Sequence, residues 1–84
     1  MPISLRQLHY AVAVARTGHF GHAAAACSVS QPALSQQILA LEGLCGAPLF
    51  DRLRRGVQPT PFGREFLVLA QETIKSAEAV EAFA

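Results

Sequence analysis

Residues 30–42 of this 84-residue chain read SQPALSQQILALE, and they predict a helix with one apolar and one polar face. Ser30 suits the N-cap, where its hydroxyl accepts a hydrogen bond from a first-turn amide, and Pro32 falls within that turn. At about 100° per residue, the apolar side carries Leu34, Ile38, Leu41 and Cys45. The opposite side presents Pro32, Gln36 and Leu39, with Gln31 and Ser35 along one flank. Such a polar face suits reading of base edges in the DNA major groove, although an ordinary surface helix would have the same pattern.

Two further helices are predicted before this segment. An S-x-x-Q capping box that starts at Ser4 opens a helix from Leu5 to about Thr17, and Gly18 is a natural stop. The alanine-rich stretch from roughly Gly21 to Cys27 predicts a second helix that packs closely against a neighbour. The second and third helices would form a helix-turn-helix, in which the later helix of the pair is the reader.

Residues 47–60 predict a two-stranded wing. Phe50 and Val57 are strand-forming residues, and the Arg54-Arg55-Gly56 turn marks the tip between them. An arginine at such a tip can enter an A·T-rich minor groove, where negative potential is concentrated; a solvated basic turn is the alternative.

A final helix is expected to begin with Thr60 as its cap and Pro61 at its first position. Its spacings of four and three residues predict a heptad seam composed of Phe62, Phe66, Leu69, Thr73, Ser76, Val80 and Phe83. An adjoining stripe consists of Leu67, Ala70, Ile74 and Ala77. One stripe should pack on the rest of the chain and the other on a second copy, which predicts a homodimer. The candidate dimerisation residues are Phe62, Phe66, Leu69, Thr73, Ile74, Ala77 and Val80.

Positive charge collects in the first part of the chain. Residues 1–60 contain five arginines and two acidic residues, a net charge of +3, whereas residues 61–84 carry −2. This balance is compatible with DNA binding but does not indicate it unaided. No apolar run approaches the roughly 20 residues needed to cross a bilayer, so we expect a cytoplasmic protein without a membrane partner.

Downstream of SQPALS, the chain continues with LFDR from Leu49 and TPFG from Thr60. In this order and spacing, these elements resemble the N-terminal domain of LysR-type transcriptional regulators, and the likeness covers nearly the whole chain. It implies a mainly α, winged helix-turn-helix fold over residues 1–60, with a three-helix core and a two-stranded β wing, followed by a long linker and dimerisation helix over residues 61–84. The effector-binding domain of this family has no counterpart here, so the chain is expected to be a fragment.

The resemblance implies sequence-specific binding of double-stranded DNA at a promoter operator. A homodimer would place two reader helices in successive major grooves of an interrupted palindrome, and higher assembly is possible for a full-length protein. The family motif carries DNA-binding roles over to Ser30, Gln31, Pro32, Ser35, Gln36, Arg52, Arg54, Arg55 and Thr60. Among these residues, the glutamine amides suit adenine, Pro32 suits a thymine methyl, and the arginines suit phosphates and the minor groove.

Several residues depart from the family pattern. No lysine or arginine occurs from residue 17 to 51, whereas related readers often carry arginine where Gln36, Leu39 or Ala40 stands. Leu39 is therefore an unexpected apolar residue close to the groove-facing side. His19 and Gly21 replace the usual serine and threonine, and His22 replaces a frequent arginine. The missing phosphate contacts predict weak DNA binding by a single winged helix-turn-helix domain, residues 1–60, which we call the head. Binding would then depend on dimerisation or higher assembly. Protonation of His19 and His22 below about pH 6.5 is expected to strengthen binding.

Two other interpretations stay open at this point. One is another winged-helix regulator, such as the similar head of molybdate-responsive proteins. The other is a protein-interaction and assembly module that does not recognise DNA, which the low basic charge favours. An enzyme is not expected, because the sequence has no acid–base pair, nucleophile motif, phosphate loop or metal cluster, and no cofactor is indicated. Cys27 and Cys45 are expected to fill structural, buried positions.

Overall fold

The computed structural model describes residues 2–84, which form four helices and one two-stranded antiparallel sheet. The elements are α1 (Leu5–Thr17), α2 (Phe20–Ala26), α3 (Gln31–Cys45), β1 (Phe50–Arg52), β2 (Val57–Pro59) and α4 (Pro61–Phe83). The expected mainly α, winged helix-turn-helix architecture is confirmed. The second helix starts and ends one residue earlier than the sequence predicted, because His19 supplies its N-cap.

Helix α1 begins with the predicted capping box. The backbone N–H of Gln7 donates to Ser4 Oγ at 3.1 Å, and the backbone N–H of Ser4 donates to Gln7 Oε1 at 2.9 Å. The Gln7 side chain is buried and also donates from Nε2 to Gln37 Oε1 at 3.3 Å. One glutamine therefore closes the start of α1 and ties this helix to α3.

A single apolar core lies between the helices and the base of the sheet. Its largest fully buried side chains are Leu34, Leu41, Leu49 and Val14. Phe20 is also buried, and Val29 packs against the core from the turn between α2 and α3. Full burial of a leucine contributes about 1.5–3 kcal/mol, so the apolar side of α3 holds this helix firmly in place.

The turn between α2 and α3 has a left-handed residue at Ser28, with φ of 58°. The Ser28 amide donates to the Ala25 carbonyl at 3.1 Å, and the Val29 amide donates to the Ala24 carbonyl at 3.0 Å. These bonds satisfy carbonyl groups at the end of α2 and direct the chain sharply into α3. They therefore fix the angle between the paired helices.

The wing is a short hairpin in the register Phe50↔Pro59, Asp51↔Gln58 and Arg52↔Val57. Its turn is closed by the Leu53 amide, which donates to the Gly56 carbonyl at 2.9 Å. Gly56 has φ of 81°, and a Cβ there would lie 2.5 Å from the Gly18 carbonyl oxygen. Both the backbone angle and the close approach therefore require glycine at this position.

Hydrogen bonds from two helices hold the base of the wing. Glu42 Oε2, on α3, accepts from the Leu49 amide at 2.7 Å and from the Phe50 amide at 3.4 Å. On the other strand, the Val57 amide donates to the Gly18 carbonyl at 3.0 Å. The wing is thus fixed relative to both α3 and the end of α1.

Helix α4 starts inside the core and ends outside it. Gly63, Leu67 and Ala70 are buried, and a side chain on Gly63 would collide with the backbone of Leu49. From Glu78 to Ala84 every residue is exposed. Within residues 2–84, no helix is long and apolar enough to cross a membrane.

Candidate nucleic-acid interface

The exposed side of α3 is the first part of the candidate interface. Ser30 caps the helix, because its Oγ accepts from the Ala33 amide at 3.2 Å. We call the exposed outward residues of α3 the reader face; they are Pro32, Gln36, Leu39, Ala40 and Gly43. Gln31 is exposed at the flank of this face, whereas Ser35 is half-buried beside it.

A cleft of about 210 Å³ joins the start of α3 to the base of the wing. Gln31 and His19 line one part of it, and Arg52 and Gly56 line another. The structure therefore brings together Gln31 and Arg52, two of the residues that the sequence assigned to DNA. Neither residue's position in such a cleft could be read from sequence spacing, because the base of the wing is held against the end of α1, which is distant in sequence.

Arg52 is positioned by an aromatic side chain of the core. Its guanidinium carbon lies 4.6 Å from the centroid of the Phe20 ring, and Phe20 meets Phe50 edge to face at 6.5 Å. A cation over an aromatic ring is attracted to the ring's negative face, so Arg52 is restrained beside the cleft. Arg54 and Arg55 are exposed at the wing tip.

His19 is the N-cap of α2, which the sequence did not indicate. Its Nδ1 accepts from the Gly21 amide at 3.1 Å and from the His22 amide at 3.3 Å, and the His19 ring stacks on the His22 ring at 4.3 Å. The acceptor nitrogen of the His19 ring thus satisfies two backbone N–H groups of the first turn of α2. Stronger DNA binding in acid through His19 and His22 stays a prediction.

The Thr60 hydroxyl has two partners inside the chain. It accepts from the Gly63 amide at 2.9 Å and donates to the Pro48 carbonyl at 2.9 Å. Capping of α4 and attachment of its first turn to the wing therefore account for this threonine. A phosphate contact by Thr60 stays a prediction.

The candidate dimerisation residues divide into two groups on α4. The first group lies along the predicted seam; Leu69 and Val80 are 62% and 69% exposed there, and Phe62 is 40% exposed. We call the whole predicted heptad the α4 seam; it comprises Phe62, Phe66, Leu69, Thr73, Ser76, Val80 and Phe83. Within it, Phe66 is half-buried and packs against the core. The second group, Ile74 and Ala77, is half-buried on the neighbouring stripe, and Ile74 packs against the core. This second stripe thus faces the head, as one of the two stripes was expected to do.

Both cysteines are free and half-buried. Burial raises the pKa of the Cys45 thiol, and the nearby Glu42 carboxylate raises this pKa further. The thiol form that follows from a raised pKa is a poor nucleophile and metal ligand. Among residues 2–84 there is no cluster of three or more His, Cys, Asp or Glu side chains that could hold a metal ion.

Taken together, α2, the Ser28 turn, α3 and the adjoining basic hairpin define a winged helix-turn-helix domain of the DNA-binding class. The family model described as "Bacterial regulatory helix-turn-helix protein, lysR family" matches residues 5–64. The chain belongs to this family, which confirms the resemblance to LysR-type regulators.

Curated relatives carry the names of transcriptional regulators. IlvR of Caulobacter vibrioides is 44% identical over 78 residues, which are 93% of this chain and 26% of IlvR. BudR of Klebsiella aerogenes is 56% identical over 64 residues, which are 76% of this chain and 45% of BudR. The chain therefore spans less than half the length of either relative.

Two similar solved structures are complexes with DNA. The CbnR DBD–DNA complex has a TM-score of 0.90 at 36% identity and covers 95% of this chain and 92% of that one. The BenM DBD/benA site 1 DNA complex has a TM-score of 0.91 at 34% identity and covers 96% of this chain and 91% of that one. These similarities favour DNA binding over the assembly-only interpretation.

Proposed function

We propose that the chain binds double-stranded DNA in a sequence-specific manner, as the dimeric head of a LysR-type transcriptional regulator acting at a promoter operator. The observation that carries this proposal is the shared cleft, which is lined by Gln31 at the start of α3 and by Arg52 at the base of the wing. One group suits a base edge and the other suits a phosphate, and a rigid scaffold holds both.

The start of α3 supplies the base contacts. Gln31 and Gln36 are exposed, and each amide offers a donor and an acceptor, the pair of groups that adenine requires in the major groove. Pro32 lies between them and can contact a thymine methyl. Ser35 is half-buried, so its hydroxyl reaches only a base or phosphate that approaches the helix closely.

The wing carries the positive charges that contact the DNA beside the major groove. Arg52 is restrained over Phe20 and meets a phosphate, while Arg54 or Arg55 at the exposed tip enters the minor groove. Glu42 and Gly18 hold the wing base, so its arginines keep their spacing from α3 when DNA binds. Three arginines on one short hairpin give binding a strong dependence on salt.

The α4 seam binds a second copy of the chain. Leu69, Val80 and Phe83 are exposed apolar side chains, and an antiparallel second α4 would cover them. The resulting dimer spans two half-sites of an interrupted palindrome, and a full-length protein adds higher assembly. The functional division falls at residues 60 and 61, although the first turns of α4 also complete the head's core. The corresponding location is the cytoplasm, and the role is regulatory rather than enzymatic.

Selection from a randomised duplex library tests the proposal. The 84-residue chain is mixed with the library at two salt concentrations, and bound duplexes are sequenced. We expect enrichment of an inverted repeat, with affinity that falls steeply as salt rises. Gln36→Ala should alter the enriched bases, whereas Gln71→Ala, on an exposed part of α4, should not. Absence of enrichment for a chain shown to be folded and dimeric would contradict the proposal.

A further inference from the structure

Leu39 is an exposed leucine in the middle of the reader helix. Its side chain is 63% exposed, while Leu34 and Leu41 on the same helix are completely buried. Leu39 therefore contributes little to the core and faces outward with Gln36 and Ala40 on the reader face. An exposed leucine at this place can contact an apolar surface that meets the same side of α3.

The reader face carries no positive charge. Between Gln31 and Cys45 the one charged residue is Glu42, and its carboxylate already accepts from the Leu49 and Phe50 amides. Guanine is commonly read by an arginine or lysine that donates to its O6 and N7 atoms, and this face offers neither. Its amide and apolar groups instead match the edges of A·T pairs, which present adenine N6 and N7 and the thymine C5-methyl.

The geometry of α3 places Leu39 next to the base pair that Gln36 reads. Three residues of helix rise separate them, about 4.5 Å, which is close to the roughly 3.4 Å step between base pairs. Ala40 and Gly43 flank Leu39 on the reader face, and nothing lies within 4 Å of the position where Gly43 would carry a Cβ. Small neighbours allow this part of the helix to approach the groove floor closely.

We propose that Leu39 is a specificity-determining residue that packs on the C5-methyl group of a thymine, in the base pair adjacent to the one that Gln36 contacts. This inference rests on the proposed function. It makes each half-site depend on a thymine methyl, and it explains how the helix reads bases without an arginine at this position.

Replacement of single thymines by deoxyuridine tests this contact, because it removes the C5-methyl and leaves the Watson–Crick groups unchanged. The duplex is the operator recovered by library selection, and dissociation constants are measured for the wild-type chain, Leu39→Ala and Leu44→Ala. Leu44 is a matched control, since it is 47% exposed and lies about 140° around the helix axis from Leu39.

One thymine in each half-site should respond. Replacement of this thymine should raise the dissociation constant of the wild-type chain and of Leu44→Ala by about fourfold per half-site. This is the effect expected from one buried methyl group. Leu39→Ala should bind the unmodified operator correspondingly more weakly and should lose its sensitivity to deoxyuridine at that position. Helix content of all three proteins, measured by circular dichroism, should agree because both leucines are exposed.

Two results would overturn the contact while leaving the proposed function intact. Either the wild-type chain tolerates deoxyuridine at every thymine of a bound operator, or Leu39→Ala keeps the full wild-type sensitivity to deoxyuridine. If selection recovers no operator from a folded dimer, the proposed function and this contact fail together.

Discussion

Similar apolar side chains are buried in the core of the head but exposed along the α4 seam. In the head, Leu34, Leu41 and Leu49 are completely buried. Along the seam, Leu69 is 62% exposed and Phe83 is 95% exposed, although α4 itself begins within the same core. The head thus buries its core leucines within one chain, whereas the seam leaves apolar side chains exposed, and we propose that a second molecule covers them. Folding and pairing are therefore separable, and substitutions should affect one without the other.

A charge placed on the seam is expected to have the largest effect on pairing without an effect on folding. Leu69→Glu should disrupt pairing while the head stays folded, because Leu69 has little contact with the core. Losing the link between two heads should weaken binding to a two-half-site operator by about 10²–10⁴-fold. Sedimentation and DNA titration measure the two effects on the same sample.

Gln71→Glu is the matched control for this experiment, since it adds the same charge about 200° around α4 from Leu69. It should remain dimeric and should bind the operator like the wild-type chain. A Leu69→Glu protein that is still dimeric at micromolar concentration would show that the seam is not the pairing surface.

A cavity in the head should produce the converse result. Leu34→Ala removes a completely buried side chain and should lower the free energy of unfolding by about 2–5 kcal/mol. Leu44→Ala, at a side chain that is 47% exposed on the same helix, should lower this free energy by only about 1 kcal/mol or less. Urea denaturation at fixed protein concentration measures both values, and equal losses would contradict the assignment of the core.

A smaller effect is expected at the start of the reader helix. Gln31→Ala should relax preference at one base pair of each half-site by about 1–3 kcal/mol, since an exposed amide is lost without change to the core. Competition between the operator and its single-base variants measures this preference. Equal weakening on operator and random duplexes would remove Gln31 from the set of base readers.

The smallest expected effect concerns the histidine cap of α2. His19→Ala should lower the free energy of unfolding by about 1 kcal/mol at neutral pH, where Nδ1 of His19 accepts two amides. Thermal unfolding of the two proteins at neutral pH measures the difference.

His19→Ser provides the control, because a serine side chain also accepts from the first-turn amides of a helix. It should keep the wild-type free energy of unfolding at neutral pH, whereas His19→Ala should not. Equal losses in both variants, or no loss in either, would contradict the capping role.

Local signals in the sequence were sufficient for most of the fold. The Ser4 box, the Ser30 cap and the Thr60–Pro61 start each act within one helical turn, and all three occur as predicted. The apolar stripe of α3 was likewise predictable, because periodicity depends on neighbouring residues alone. The α2 boundary moved by one residue because histidine is not a usual N-cap.

The contacts that build the site were not predictable in the same way. Glu42 meets the wing, Gln7 reaches Gln37, and Arg52 lies over Phe20. Each contact joins residues that only the folded chain brings together. From composition and spacing alone, the polar residue in each contact therefore looks like a solvated surface residue. The sequence named Arg52 as a candidate, but the aromatic ring that restrains it became visible only in the structure.

Spacing of the two half-sites tests the central claim, that a folded head reads DNA and the α4 seam joins two such heads. Stoichiometry and affinity are measured on the selected operator and on a version with about five extra base pairs, half a helical turn, between its half-sites. We predict two chains per operator and a sharp loss of affinity on insertion, with Leu69→Glu insensitive to the change. One chain per duplex, with affinity unaffected by the insertion, would contradict the account.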